Sequence, residues 1–336
     1  MAIFKPKTQL KLIRAKQNPI IRPKRAKWER RTYNPGVILI KDKIYILYRA
    51  EMTIGYASTE DGVHIKERLT QPIFIPTEKY DEHPGYPGAE DPRLVQIMDR
   101  LYMTYTLFEG DFSSIKMALT SIKVKDFLSK RWRWRQPVLM TPPGKRHKNV
   151  VLFPEKIKNK FAILHRISPK VSIKYVKDID KYFNGKRYFT SVYKKVRRNN
   201  SWDTYIRGAG PPPIRTDLGW LLLYHAIDER EPHRFKIGAM ILDFKDPTKI
   251  LYRSHNALLA PDKSYENRSI RPGSRYKSGV VYASGAVVKN GTLLVYYGGA
   301  DSVTCVASIP MKKLLLGLVK QDQEFKESKK RNKNKK

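Results

Sequence analysis

One short stretch of the sequence, residues 88–94, combines the residue types that acid and base chemistry needs. It reads Gly-Ala-Glu-Asp-Pro-Arg-Leu, so the carboxylates of Glu90 and Asp91 stand within three positions of the guanidinium of Arg93. An apolar run follows directly and predicts a β-strand. Pro92 biases the residue before it toward an extended backbone, so we expect Asp91 at a strand entrance. The pattern is equally typical of a turn that carries a surface ion pair.

The elements that would position these side chains are recurring β-hairpins. Two apolar runs separated by a short polar turn appear five times along the chain, which is the pattern of a hairpin. The residues that mark the same position in each copy stand 57, 60, 60 and 72 residues apart: Tyr48, Tyr105, His165, His225 and Tyr297. Such a repeat predicts an all-β fold, a five-bladed β-propeller in which each copy forms one four-stranded blade.

The propeller prediction brings distant polar residues to one place. Asp91, Arg166, His225 and Asp301 all stand at the starts or ends of predicted strands. Because blade ends converge on the central axis, we expect these side chains to face one pocket there. The alternatives are a core histidine at the end of an apolar strand, which we favour for His165 but not for His225, and a turn-capping role for Asp301.

Composition excludes several classes of protein. The chain has 336 residues, of which 41% are hydrophobic, enough for a large core. No apolar run is long enough for a membrane span and no secretory signal is recognisable, so we expect a soluble, cytoplasmic protein. One cysteine, Cys305, rules out an intramolecular disulfide. The seven histidines show no His-x-x-x-His spacing, so no metal site is predicted.

The charge is strongly positive and concentrated at the ends. There are 67 Lys and Arg against 31 Asp and Glu, a net charge of +36. Residues 1–31 have a net charge of +10 and residues 320–336 a net charge of +5. We predict a basic, extended N-terminal arm (1–31), a propeller (32–319) with a short C-terminal helix, and a basic, disordered tail (320–336). The remaining charge is diffuse, so nucleic acid is not expected as the principal partner.

The chain resembles glycoside hydrolase family 130, the mannoside phosphorylases and their hydrolytic relatives. That family carries a Glu-Asp-Pro-Arg signature like the one at residues 90–93, and further similar motifs run from about Asn18 to Ala307. They include Asn34-Pro35-Gly36, Tyr48-Arg49-Ala50-Glu51, the segment 149–156, Leu164-His165-Arg166, the segment 208–213, Tyr224-His225 and Gly298-Gly299-Ala300-Asp301. The resemblance implies the same five-bladed fold. One departure lies at residues 281–285, Val-Tyr-Ala-Ser-Gly, where relatives usually have Phe-Pro-small-Gly.

The resemblance also implies residue roles. Asp91 matches the general acid, which is thought to protonate the leaving oxygen through the 3-hydroxyl of mannose, with Glu90 and Arg93 orienting or tuning it. The positions that match phosphate contacts are Lys148, Arg166, Arg207 and His225. The expected substrate-binding residues are Asn34, Arg49, Glu90, Arg93, Glu266 and Asp301.

Three functions follow as hypotheses. The first is inverting phosphorolysis of β-mannosides, of the mannooligosaccharide or mannosyl-glucose type, which releases α-mannose 1-phosphate. Phosphate is then a co-substrate and no cofactor is needed. The second is a β-mannoside hydrolase on the same scaffold, in which glutamates activate water. The third is a non-catalytic propeller that binds glycans or polyanions. The sequence leaves the linkage and the formation of a homo-oligomer open.

Overall fold

The computed structural model describes residues 3–24, 26–76, 88–108, 115–142, 146–184, 187–189, 196–199, 201–267 and 279–333. Within these ranges the strands form five antiparallel sheets, each of which is one blade. The prediction of an all-β, five-bladed propeller is confirmed.

The first half of the chain forms the N-terminal arm and two blades. The arm contains β1 (Ile13–Arg14) and a 3-10 helix (Lys27–Glu29). Blade 1 comprises β2 (Tyr33–Ile40), β3 (Lys43–Ala50), β4 (Thr53–Thr59) and β5 (Ile65–Arg68). Blade 2 comprises β6 (Gly88–Ile97), β7 (Arg100–Phe108), β8 (Lys116–Lys123) and β9 (Val138–Leu139), with α1 (Val124–Leu128) before β9. In both blades each strand pairs with the next, as in a meander.

Blades 3 and 4 are less regular. Blade 3 has three strands within the described residues, β10 (Val151–Leu152), β11 (Phe161–Arg166) and β12 (Ser172–Val176), followed by α2 (Ile179–Tyr182). Blade 4 comprises β13 (Tyr205–Ala209), β14 (Ile214–Thr216), β15 (Gly219–Ile227), β16 (Phe235–Leu242) and β17 (Ile250–Arg253), followed by α3 (Ser264–Asn267). Both β13 and β14 pair with β15, so the innermost strand of this blade is split in two.

The N-terminal arm closes the ring. Blade 5 comprises β18 (Val281–Lys289), β19 (Thr292–Gly299) and β20 (Val303–Pro310), and α4 (Met311–Lys333) follows it. β1 pairs with β20 as the outermost strand of this blade, with Ile13 opposite Ser308. The blade therefore combines strands from both ends of the sequence, and Leu10 and Leu12 of the arm are buried against it.

Apolar side chains fill the interfaces between neighbouring blades. Each of the five large clusters among the described residues joins two adjacent sheets. Between blades 3 and 4, Phe153 and Trp220 meet edge to face with their ring centroids 5.1 Å apart. Tight turns keep the hairpins short: Asn290 and Gly291 both have positive φ (49° and 71°), as a two-residue type I′ turn requires.

The C-terminal segment 320–336 differs from the prediction, because α4 continues through it to Lys333 as one helix. The arm anchors this part of the helix. The carboxylate of Glu324 accepts hydrogen bonds from the backbone N–H and the hydroxyl of Thr8, and Phe325 packs against Phe4. The last three residues lie outside the described part of the chain. None of the described helices combines the length and the hydropathy that crossing a bilayer requires.

Candidate active site

A cavity of about 580 Å³ lies where the inner strands converge on the propeller axis. Its volume falls within the range of small-molecule sites. All five blades, together with the segment before β10, contribute lining residues: Asn34, Arg49, Asp91, residues 146–149, residues 165–168, residues 206–209, Phe235, Val280, Tyr282 and Asp301. The structure thus brings together seven of the eleven residues predicted for the site: Asn34, Arg49, Asp91, Lys148, Arg166, Arg207 and Asp301.

At several of these positions the backbone is irregular and directs the side chain toward the propeller axis. The β2–β3 ladder shifts register around Asn34, and the β6–β7 ladder shifts around Asp91. Both residues have positive φ, 46° and 52°, and so do Asn149 (65°) and Asp301 (51°). The expectation of an extended Asp91 is therefore wrong: Pro92 follows a left-handed residue in a β-bulge. Bulges re-aim side chains, and unusual backbone conformations of this kind cluster at functional sites.

Asp91 is a buried carboxylate among cations. It is 3% exposed; its Oδ1 accepts a hydrogen bond of 2.8 Å from Asn34 Nδ2 and lies 3.5 Å from Arg49 Nη1. Burial by itself raises the pKa of Asp91. The positive charges of Lys148, Arg49 and Arg93 outweigh this effect, so the pKa of the carboxyl lies below its usual value.

Glu90 and Arg93 stand behind the cavity surface. Glu90 is 4% exposed and pairs with Arg49 and, at 3.6 Å, with Lys148 Nζ. The Arg93 guanidinium donates hydrogen bonds to the carbonyl oxygen of Asp91 (2.9 Å) and to Asn149 Oδ1 (2.7 Å). Neither residue lines the cavity, so the structure does not place them at the substrate as predicted, and both contact residues that do line it.

The cavity lining also includes three cations that the sequence predicted for phosphate. Lys148, Arg166 and Arg207 line it, each from a different segment of the chain. Arg166 donates to Ser172 Oγ at 2.9 Å, which fixes its guanidinium, and the Arg207 guanidinium lies 5.7 Å from the ring centroid of Phe235. Guanidinium and ammonium groups are the side chains that bind an oxyanion such as phosphate.

The sequence profile of glycoside hydrolase family 130, described as beta-1,4-mannooligosaccharide phosphorylase, matches residues 6–320. The chain belongs to this family. A 1,2-beta-oligomannan phosphorylase of Thermoanaerobacter sp. (strain X514) is 32% identical over 317 residues, 90% of this chain and 98% of the relative. A beta-1,2-mannobiose phosphorylase of the same strain is 31% identical over 328 residues, 90% of this chain and 99% of the relative.

Solved structures agree on the family 130 fold. The beta-1,2-mannobiose phosphorylase from Listeria innocua, in its beta-1,2-mannobiose complex, superposes with a TM-score of 0.70 at 22% identity. The superposition covers 91% of this chain and 99% of that one, so the likeness extends over the whole propeller.

His225, which the family 130 resemblance placed at the phosphate, lies away from the cavity surface. It is completely buried and its ring stacks on Tyr282, with centroids 3.8 Å apart and an angle of 14° between the planes. Burial lowers the pKa of His225 to about 3, and the positive charge of Arg93 adds to the effect. The imidazole is therefore neutral, and its Nε2 donates to the carbonyl oxygen of Ala283 at 2.8 Å. Tyr282 faces the cavity in its place.

Glu266, a predicted sugar contact, also lies outside the cavity lining. Its side chain is fully buried and forms a two-point ion pair with Arg14 of the N-terminal arm, at 2.7 and 2.8 Å. Tyr297 donates its hydroxyl to the same carboxylate at 2.8 Å. In the structure Glu266 joins α3 to the arm. The prediction that its carboxylate contacts the sugar therefore does not fit the structure.

Sequence analysis did not predict two further residues that line the cavity, Asn149 and His165. Asn149 connects three blades: its Oδ1 accepts hydrogen bonds from Arg93 and Tyr282, and its Nδ2 donates to the carbonyl oxygen of Arg207. His165, for which a core position was favoured, lines the cavity, stacked on Phe189. A signal existed for both, because each lies in a motif shared with the family. Among the described residues no group of His, Cys, Asp and Glu is placed to hold a metal ion.

Proposed function

We propose that this protein catalyses the inverting phosphorolysis of β-mannosides, with Asp91 as the general acid and α-mannose 1-phosphate as the product. The observation that carries the proposal is one cavity that holds a buried carboxylate, Asp91, together with three cations, Lys148, Arg166 and Arg207. Mannoside phosphorylases that align with nine-tenths of this chain support the same reaction.

The cations favour phosphate over water as the nucleophile. Inverting cleavage needs an acid for the leaving oxygen and a nucleophile on the opposite face of the sugar. Water must be activated by a second carboxylate, whereas phosphate is already anionic and needs a cationic cradle. Asp91 and Asp301 are the carboxylates that line the cavity within the described residues, and Glu266 is neutralised by Arg14 outside it. The balance of charge thus favours the phosphorylase over the hydrolase.

Phosphate also accounts for how a carboxyl with a lowered pKa can act as an acid. A bound dianion cancels part of the positive charge of Lys148 and its neighbours. That charge is what holds the pKa of Asp91 down against the effect of burial. With phosphate in place these cations hold the pKa of Asp91 down less strongly, so the carboxyl is easier to protonate. The proton then passes to the leaving oxygen through the 3-hydroxyl of mannose, as the family resemblance implies.

We propose β-1,2-linked mannooligosaccharides as the first substrates to test. Two relatives that align over 90% of this chain are named for β-1,2 linkages. The family description names β-1,4 linkages, and a Ruminococcus albus relative with that activity is 28% identical. The structure supports a mannose site beside Asp91, with Asn34, Arg49 and Asp301 lining the cavity.

The test is the release of mannose 1-phosphate from β-1,2- and β-1,4-mannobiose, with and without inorganic phosphate. We expect phosphate-dependent release, faster from the β-1,2 disaccharide, that is lost in Asp91→Asn. Free mannose formed at the same rate without phosphate would establish the hydrolase. Glycan binding without turnover on either disaccharide, on mannosyl-glucose or on a wider panel of mannosides would refute both enzyme hypotheses. Action in the cytoplasm, the lack of a cofactor and the assembly of a homo-oligomer stay predictions.

A further inference from the structure

The N-terminal arm reaches the back of the cavity wall. β1 of the arm pairs with β20, and Leu12 donates its backbone N–H to the carbonyl oxygen of Leu258. From this strand Arg14 extends to Glu266 of α3, and it also donates to the carbonyl oxygen of Ala260 at 2.6 Å. One arm residue thus holds two points of the segment that leads into blade 5.

The Glu266 carboxylate accepts five hydrogen bonds. Oε1 accepts from Arg14 Nε (2.7 Å) and the Tyr297 hydroxyl (2.8 Å). Oε2 accepts from Arg14 Nη2 (2.8 Å) and from the backbone N–H groups of Asp262 and Lys263 (2.7 and 3.1 Å). The carboxylate has no exposed surface. A buried carboxylate with this many donors has one position, so α3 has one position relative to the arm.

The backbone of α3 transmits that position to the cavity. The carbonyl oxygen of Glu266 accepts the N–H of Val280 at 2.9 Å, and the carbonyl oxygen of Val280 accepts the N–H of Ala300 at 3.0 Å. Val280 lines the cavity, as do Tyr282 and Asp301, the latter directly after Ala300. Two hydrogen bonds therefore connect the Arg14–Glu266 pair to the blade 5 side of the site.

We propose that Arg14 is a positioning residue for substrate: through Glu266 it fixes the cavity wall formed by Val280, Tyr282 and Asp301. The inference rests on the proposed function and adds the N-terminal arm to the active site. It assigns Arg14 to the mannoside side of the cavity, since the cations proposed to hold phosphate come from other segments of the chain.

The molecule contains a matched control for this pair. Glu29 of the arm is 1% exposed and receives the hydroxyl of Tyr48 and the guanidinium of Arg68, whose Nη2 lies 2.7 Å from Oε1. Tyr48 and Tyr297 occupy the same position in the hairpin repeat. The Arg68 guanidinium contacts Glu29, Tyr48 and the carbonyl oxygen of Arg22, none of which lines the cavity.

The experiment compares Arg14→Gln with Arg68→Gln in steady-state phosphorolysis of β-1,2-mannobiose, at a temperature below the unfolding transition of both. Small displacements of active-site groups lower catalytic efficiency by about ten- to a hundred-fold. We therefore expect the KM for mannobiose to be at least ten-fold higher in Arg14→Gln than in wild type. The KM for phosphate should stay within about two-fold in both variants. Arg68→Gln should lower the melting temperature comparably and leave both KM values near wild type.

The double variant Arg14→Gln/Glu266→Gln separates positioning from stability. It removes the unpaired buried charge, so the melting temperature should recover, while the KM for mannobiose stays high because the two-point contact is still absent. Equal kinetic effects in Arg14→Gln and Arg68→Gln, or recovery of KM in the double variant, would overturn the inference. Wild-type protein that releases no mannose 1-phosphate would overturn the proposed function as well, whereas an active wild type with an unchanged KM in Arg14→Gln would overturn this inference alone.

Discussion

Replacing Asp91 by Asn tests the proposed acid most directly. The change keeps the shape of the side chain and removes the proton that the leaving oxygen needs. General acid catalysis contributes about 10²- to 10⁴-fold to rates, or roughly 3–5 kcal/mol of transition-state stabilisation. We therefore expect kcat for β-1,2-mannobiose to fall by at least about 10²-fold in Asp91→Asn, with the KM for phosphate no higher than in wild type, since the variant removes a negative charge near the phosphate.

An activated substrate distinguishes an acid from a binding residue. Dinitrophenyl β-mannoside carries a leaving group that departs without a proton, so Asp91→Asn should lose less than about ten-fold on it. Asp301→Asn is the control, because loss of a sugar contact should slow both substrates alike. If Asp91→Asn lost the same factor on both substrates, the residue would position the sugar and the reasoning would be refuted.

The same variant should change stability in a pH-dependent way. The native pKa of Asp91 lies below its usual value, so the ionised carboxylate stabilises the fold above about pH 4. This contribution is lost as the pH falls through the native pKa. Removing one partner of a buried ion pair costs about 3 kcal/mol. Chemical denaturation should therefore show a deficit of about this size in Asp91→Asn at pH 7, and the deficit should shrink below about pH 4.

Further predictions concern phosphate, stability and the C-terminal helix. Arg166→Gln should raise the KM for phosphate about ten-fold and leave that for mannobiose unchanged in initial-rate assays; an unchanged phosphate KM would remove this residue from the cradle. His225→Phe should keep the phosphate KM within about two-fold, and a large increase would show direct contact. Because the native pKa of His225 is about 3, wild type should lose stability relative to this variant below about pH 6.5, measured by thermal melts. Tyr282→Phe should cost about 0.5–1.5 kcal/mol in denaturant unfolding, since it removes one hydrogen bond while Asn149 Oδ1 keeps the one from Arg93. Truncation after Phe325 should leave the melting temperature within about 2 °C, because the arm contacts are kept.

Local patterns were sufficient to predict the propeller and most of the cavity. Each blade contains the same hairpin pattern, in which apolar and polar residues alternate along the strands. The number of blades and the fold class of the chain therefore follow from residues that are neighbours in the sequence. The end of a strand faces the axis in every blade, which is why Asp91, Arg166 and Asp301 could be placed together. For these residues, position along the chain determines position in space.

The errors arise where contacts between distant segments decide the outcome. Tyr282 of blade 5 stacks on His225 of blade 4 and separates it from the cavity. No residue near His225 in the sequence predicts this contact. The family resemblance implies that Glu266 contacts the sugar, and only its ion pair with Arg14, far away in the sequence, shows that it lies elsewhere. The helical state of the C-terminal segment likewise depends on the arm, since Phe325 finds its partner in Phe4.

The pairing of β1 with β20 has a consequence for biosynthesis. The two strands are separated by most of the chain, so the arm leaves the ribosome long before its partner exists. At about 5–20 residues per second, the wait is roughly 15–60 s. During this time Leu10 and Leu12 have no blade to cover them, and the edge that β1 will join is still unmade. Until β20 is made, the incomplete propeller has an unpaired strand edge, and the apolar side chains of its arm are exposed. Chaperone binding to the arm is therefore most useful in that interval.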